Sequence, residues 1–317
     1  MSRAPSLETT LGPLRLRNPV LVASGTFGYG PEYAELVDLN RLGALVVKGI
    51  SLDPAPGNPP PRTVEVTSGL INAIGLQNPG VDGFCREYLP FLRRHQVPVI
   101  VNIWGRTTDE YAEVARRFDA VEGIAALELN VSCPNIKEGS RTFGTQRDLF
   151  SRVVETVRNR TRLPLIPKLA PNVSDIGLFA RAAQEAGADA VSLINSLPAM
   201  AIDIETRRPV LGNDTGGLTG PAIHPVALKL VWEAARAVRI PVIGMGGIRG
   251  PREALAFLIA GASAVAVGTA NFIHPTTAIE VAEGIQDYLA RHGLKSVRDL
   301  VGTLKTNRPS TPGDGKP

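Results

Sequence analysis

Six short apolar runs in this 317-residue sequence each close on a polar residue that can bind or react: Ser24, Lys48, Asn102, Asn130, Lys168 and Asn195. The two lysines supply positive charge for an anionic ligand. Each asparagine amide offers both a donor and an acceptor, which suits a polar ring. Cys133 stands three positions after Asn130. Its thiolate would be a competent base, although a cysteine at such a junction is more often a small buried hydrophobe. Cys85 takes that plainer reading, inside the helix-like stretch Val81–Leu92. Near the far end, Gly244-Met245-Gly246-Gly247-Ile248 and Val267-Gly268-Thr269 carry glycines spaced to let backbone N–H groups reach a phosphate. Asn78-Pro79-Gly80 reads as a turn, whereas Asn72 does not.

These residues need rigid elements to hold them, and the surrounding pattern supplies eight strands. Near-continuous apolar runs predict Pro19–Ala23, Ala44–Lys48, Val99–Ile103, Ala126–Asn130, Leu165–Lys168, Ala190–Ile194, Pro241–Gly244 and Ala264–Val267, as expected for parallel strands buried on both faces. Helical patterns fall between them, among them Asp109–Phe118, Asp148–Asn159, Asp175–Ala186, Pro225–Val238 and Pro251–Ala260. Several open on Asp or Pro, and Gly187 and Gly261 mark stops. Eight alternations favour a closed (β/α)8 TIM barrel over an open sheet. A dinucleotide fold would want Gly-x-Gly-x-x-Gly after its first strand, and Ser24–Gly30 has the wrong spacing. In a barrel the polar strand ends share the carboxyl-terminal face, where barrel chemistry gathers. Long loops are expected after the second strand (Ile50–Leu76, with a small hairpin near Thr63–Thr67) and the sixth (Ser196–Thr219). Residues 1–304 are expected to form one barrel domain, and Lys305–Pro317 a disordered tail.

Composition narrows the function classes. A hydrophobic content of 44% with 20% charged residues suits a globular chain. No run approaches the roughly 18 apolar residues of a membrane span, and the first residues lack the apolar stretch of a signal peptide, so a cytoplasmic protein is expected. A net charge of +4, spread over separated arginine pairs and with 5% aromatics, argues against a nucleic-acid surface. Two cysteines cannot build an iron–sulfur cluster, which needs about four. His95, His224, His274 and His292 are scattered, with no metal-binding pair.

Three segments carry a specific likeness: Asn130-Val131-Ser132-Cys133-Pro134-Asn135, Asn72-Ala73-Ile74-Gly75-Leu76-Gln77-Asn78-Pro79-Gly80, and Gly57-Asn58-Pro59-Pro60-Pro61-Arg62. Together they resemble class 1 dihydroorotate dehydrogenases, and the form of the second resembles subclass B catalytic subunits. The likeness runs over the whole chain except the tail. It implies that FMN is held by Ser24, Lys48, Gly49, Asn102, Asn130, Lys168, Ile194, Gly220, Gly246, Gly247, Gly268 and Thr269. It implies that orotate contacts Lys48, Asn72, Ala73, Ile74, Gly75, Leu76, Asn130, Asn195 and Ser196, with Cys133 as the base that removes the C5 proton. Trp104 departs from the pattern, standing where a smaller residue is expected.

The resemblance further implies a homodimer of barrels, each paired with a second subunit carrying FAD and a [2Fe-2S] cluster that passes electrons to NAD+. A self-sufficient homodimer reducing fumarate, as in subclass A, is the alternative, since a cysteine base and FMN are common to both. A dihydropyrimidine dehydrogenase-like flavoprotein shares the barrel and the cysteine loop. A non-catalytic phosphate- or RNA-binding barrel would carry no flavin. The segment Cys133–Phe143, with Gly139 and Gly144 beside polar residues, is expected to act as a lid.

Overall fold

The computed structural model describes residues 4–131, 137–138 and 141–307. Its centre is a closed barrel of parallel strands: β1 (Val20–Val22), β2 (Ala44–Ile50), β3 (Val99–Ile103), β4 (Ala126–Asn130), β5 (Leu165–Lys168), β6 (Val191–Leu193), β7 (Val242–Met245) and β8 (Ala264–Val267). Each pairs with the next in sequence, and β8 closes on β1 through Val265–Val267 against Val20–Val22. These are the eight expected strands, with β2 carried on to Ile50.

Around the barrel lie α1 (Gly80–Glu87), α2 (Thr108–Asp119), α3 (Arg147–Arg158), α4 (Ile176–Glu185), α5 (His224–Ala237), α6 (Pro251–Ala260) and α7 (Thr277–Arg291). Between β1 and β2 the chain makes the 3-10 turns Pro31–Tyr33 and Leu39–Arg41 in place of an α-helix. The expected stretch Val81–Leu92 is helical but breaks at Tyr88 into α1 and the single turn Leu89–Leu92. α2 shows why such helices form. The Thr107 side chain accepts from the Glu110 N–H, acids fill the first turn and arginines the last, which complements the helix dipole. Tyr111, Ala112, Val114, Ala115 and Phe118 then bury one face. α6 stops at Gly261, whose φ of 119° suits a left-handed cap.

Side chains alternate in and out along each strand. One set, including Val20, Val22, Val99 and Val101, packs outward on the helices. The other, including Leu21, Ala44, Val46, Ile100, Ala126, Ile166, Ile243, Met245, Ala264 and Ala266, fills the barrel interior. An antiparallel hairpin, Thr9–Leu11 with Leu14–Leu16, adds Leu11 and Leu16 to that interior cluster and plugs its amino-terminal end.

The two long loops pair with each other. Thr63–Val66 and Gly69–Asn72 form the expected hairpin, and Gly216–Thr219 joins Gly69–Asn72 on one side and Leu197–Ala199 on the other. The result is a four-stranded antiparallel sheet carried by loops that leave the same end of the barrel. Of the segment from Cys133 to Phe143, the short pairing of Lys137–Glu138 with Arg141–Thr142 and the buried Phe143 are described. Cys133 itself, most of the expected lid and residues 308–317 of the tail lie outside the described residues.

Candidate active site

The period of two that fills the interior also aims the site. Two positions beyond inward-facing Val46, Ile100 and Ile166 come Lys48, Asn102 and Lys168, and four beyond Ala126 comes Asn130. On β3, β4 and β5 the unbroken alternation points Asn102, Asn130 and Lys168 inward at the carboxyl end of the strand, and on β2 Lys48 stands where the register against β3 shifts between Val47 and Ile50. Pairing sets Lys168 beside Asn130. Ser24, Asn195, Gly246–Gly247 and Gly268 continue the ring after β1, β6, β7 and β8. The structure thus brings together on one face all the described strand-end residues that the sequence singled out.

Hydrogen bonds join them. Asn195 Nδ2 donates to Asn130 Oδ1 at 3.2 Å, and the Asn130 carbonyl accepts from Tyr111 Oη at 2.7 Å. Asn195 Oδ1 in turn accepts from the Ser196 N–H at 2.9 Å. Tyr111 also meets Phe143 edge-on at a 5.8 Å centroid distance, which anchors the far end of the cysteine loop near Asn130. Lys48 is half-buried, and burial pushes its ammonium pKa below the ordinary lysine value. Arg62 pushes the same way, while Glu32 opposes.

The segment Asn72–Leu76 is joined to the loop after β6 through the loop sheet. Asn72 Nδ2 donates to the Gly217 carbonyl at 3.2 Å, and a Cβ on Gly217 would lie 2.0 Å from Ser196 Oγ. Gly217 is therefore the hinge of contact between Asn72 and Ser196, which come from different loops. Asn78 does more than turn the chain. Buried, it accepts from the Ser51 and Gly80 N–H groups and donates to Ser51 Oγ and the Leu76 carbonyl, tying the segment to the end of β2.

The glycine cradle is equally constrained. Gly220, Gly246 and Gly247 have φ of 93°, 132° and 69°, a region that favours glycine. A Cβ on Gly247 would sit 2.7 Å from His224 Cβ and 2.9 Å from the Gly220 carbonyl. His224 Nδ1 lies 3.1 Å from the Gly246 carbonyl oxygen, a hydrogen bond in the tautomer that carries its proton on Nδ1. Above Gly268 and Gly25 there is space instead: a Cβ on Gly268 would meet nothing nearer than 3.8 Å, and one on Gly25 nothing within 4 Å. Gly49 serves packing, because a Cβ there would crowd Asn102 Oδ1 and Trp104. That glycine accommodates the unexpected Trp104, which is buried beneath Arg106.

Asn102 Nδ2 is buried and has no hydrogen-bond partner among the described residues. A native protein rarely leaves a buried donor unpaired, so an acceptor-bearing ligand is expected at this atom. A planar, acceptor-rich ring with a phosphate tail fits the ring of amides and lysines together with the glycine cradle. Sequence reasoning missed two residues of this neighbourhood, Gly217 and Glu128. Glu128 sits inside the barrel on β4, with Ser192 Oγ donating to Oε1 at 3.3 Å and Lys168 Nζ 3.8 Å away. Its signal was a charged residue at an inward position two before Asn130.

Comparison with known proteins agrees with this architecture. The dihydroorotate dehydrogenase family model matches residues 6–289. Relatives named dihydroorotate dehydrogenase B (NAD(+)), catalytic subunit, include that of Pelobacter propionicus, 54% identical over 95% of this chain and 99% of the relative. That of Thermodesulfovibrio yellowstonii is 54% identical over the same shares, and that of Thermoanaerobacter pseudethanolicus 51% identical over 95% and 100%. The chain belongs to the dihydroorotate dehydrogenase family.

Proposed function

We propose that this chain oxidises dihydroorotate to orotate for pyrimidine synthesis, as the FMN-bearing catalytic subunit of a subclass B enzyme. The observation that carries the reading is the gathering of Lys48, Asn102, Asn130, Lys168 and Asn195 at the carboxyl ends of the strands, with a buried Asn102 amide that has no partner among the described residues and a glycine cradle after β7 and β8 on the same end. FMN, when bound, supplies the hydride acceptor for C6 of the substrate. The chain's own residues bind, orient and move the proton. Gly220, Gly246, Gly247, Gly268 and Thr269 would hold the phosphate through backbone N–H groups. Ser24, Gly49, Asn102, Lys168 and Ile194 would hold the ring system, with Lys168 stabilising negative charge.

Lys48 would pair with the substrate carboxylate. Asn72, Asn130, Asn195 and Ser196 offer donors and acceptors to the pyrimidine edge, and Ala73, Ile74, Gly75 and Leu76 would close over it. Cys133 would take the C5 proton as thiolate, a role assigned by resemblance because that residue lies outside the described ones. Electrons would leave through a partner subunit carrying FAD and a [2Fe-2S] cluster to NAD+, in an assembly built around a barrel dimer. The relatives' names, which specify NAD(+) and a catalytic subunit, support this over the fumarate-reducing alternative.

Orotate titrated into the FMN-loaded chain is expected to shift the flavin absorbance, and dihydrouracil to leave it unchanged. The reverse pattern would favour a dihydropyrimidine dehydrogenase-like enzyme. A preparation that binds no FMN at all would remove the flavoenzyme reading.

A further inference from the structure

Among the described residues only two charged side chains are fully buried, and they are neighbours: Glu128 at 2% exposure and Lys168 at 6%. They occupy successive inward layers of the barrel. Glu128 pairs across to Ile166 and to Asn102, one layer below the Lys168–Asn130 pair that faces the site. Beneath them the interior holds a void of about 10 Å3, large enough for about one water. Glu128 and Ser192 are the polar residues of its lining; Leu21, Val46, Ile100, Ile166 and other apolar side chains form the remainder. The carboxylate therefore has few partners, with Ser192 Oγ and Lys168 Nζ both approaching Oε1.

Burying such a pair costs desolvation that its attraction barely repays, and apolar residues of like volume often serve stability as well or better. Stability alone gives no reason for a carboxylate in the lumen of a barrel. Its position directly below Lys168 gives one. Glu128 sits one layer below Lys168 and beside Asn102, and of these two it is Lys168 whose charge its carboxylate meets, so its influence on the ligand face runs chiefly through Lys168. We propose that Glu128 is a positioning residue that holds the Lys168 ammonium within the barrel and offsets part of its charge, and so sets how strongly the site favours reduced over oxidised flavin. This inference rests on the FMN reading above. Negative charge close to a flavin opposes reduction, and a low-dielectric interior screens it poorly.

The test is the midpoint potential of the bound FMN, measured anaerobically against reference dyes, with affinity for oxidised FMN followed separately. Glu128→Gln keeps the shape and removes the charge. It is expected to favour reduced flavin about tenfold more than the parent, a rise of about 30 mV for a two-electron couple. Glu128→Asp keeps the charge and should return most of the way to the parent. In a Lys168→Met background the same Glu128→Gln change should lose most of its effect, since it works through the lysine. Ser192→Ala, a milder change, removes the donor to the carboxylate and should move the potential the other way. A Glu128→Gln potential within about twofold equivalence of the parent, or a full shift persisting without Lys168, overturns the proposal. So does a Ser192→Ala potential equal to the parent. A parent chain that binds no FMN overturns the FMN reading with it, whereas FMN binding with an unmoved potential overturns this inference alone.

Discussion

Lys48 and Cys133 are expected to dominate the pH behaviour of the chemistry. Burial and Arg62 lower the Lys48 pKa, while the orotate carboxylate needs the charged ammonium. Orotate affinity attributable to Lys48 is therefore full below that pKa and lost as pH rises through it, starting at lower pH than an ordinary lysine would give. A titration of orotate affinity against pH should show this alkaline limb, and Lys48→Met should both weaken binding and flatten the limb. A limb unchanged in Lys48→Met assigns it to another group. Cys133→Ala should slow substrate-driven flavin reduction by about 10²–10⁴-fold, the usual worth of a general base, with orotate binding nearly intact. Cys133→Ser should retain part of the rate with its optimum at higher pH, because a hydroxyl ionises far less readily than a thiol. Rapid-mixing absorbance measures both, and a parent-like rate in Cys133→Ala would place the base elsewhere.

The inward residues that end strands were legible in the sequence because an apolar run closing on Lys or Asn is visible without knowing the fold. Glu128 was passed over because it lies inside such a run, Ala126-Leu127-Glu128-Leu129-Asn130, where only the inward register gives it meaning. Asn78 was read as a turn residue, and two of its four side-chain hydrogen bonds are to Ser51, just after β2, a partner that local sequence does not reveal.

At the scale of elements, the eight strands were legible from continuous apolar runs, and helix ends from caps such as Thr107 and Asp175, whose side chains accept from Glu110 and Leu178 N–H groups. The sheet over the site was legible only in its local half. Thr63–Val66 alternates, but its partner strand Gly69–Asn72 joins Gly216–Thr219 across 145 positions at Asn72 and Gly217. Such pairing is set by where the barrel delivers its loops, not by local pattern. The plug hairpin, Thr9–Leu11 with Leu14–Leu16, pairs locally, but its three-residue strands are too short to display a period. Because a Cβ on Gly217 would lie 2.5 Å from Ser196 Cβ, Gly217→Ala should force the two strands apart. It is expected to weaken orotate binding about tenfold, about 1.4 kcal/mol, with FMN affinity within about twofold of the parent. Equal orotate affinity in the variant would show that this sheet does not shape the substrate side. In the cradle, Gly247→Ala meets both a φ of 69° and a contact of 2.7 Å with His224 Cβ, so FMN affinity rather than orotate affinity should fall there.

At the scale of the whole molecule, the chain holds two cysteines in all, Cys85 and Cys133, too few for an iron–sulfur cluster. The purified chain should therefore reduce artificial dyes with dihydroorotate but form no NADH until a subunit bearing FAD and a [2Fe-2S] cluster is added. Robust NADH formation by the chain alone would contradict the need for that partner. No helix among the described residues is long and apolar enough to cross a membrane. Beneath all these readings lies one claim, that dihydroorotate delivers its electrons to a flavin held at the carboxyl end of this barrel. It is tested most directly by adding dihydroorotate, without oxygen, to the FMN-loaded chain and recording the flavin absorbance. The account requires the oxidised flavin band to bleach at once and to return when air is admitted; a band that persists unbleached through excess dihydroorotate would contradict it.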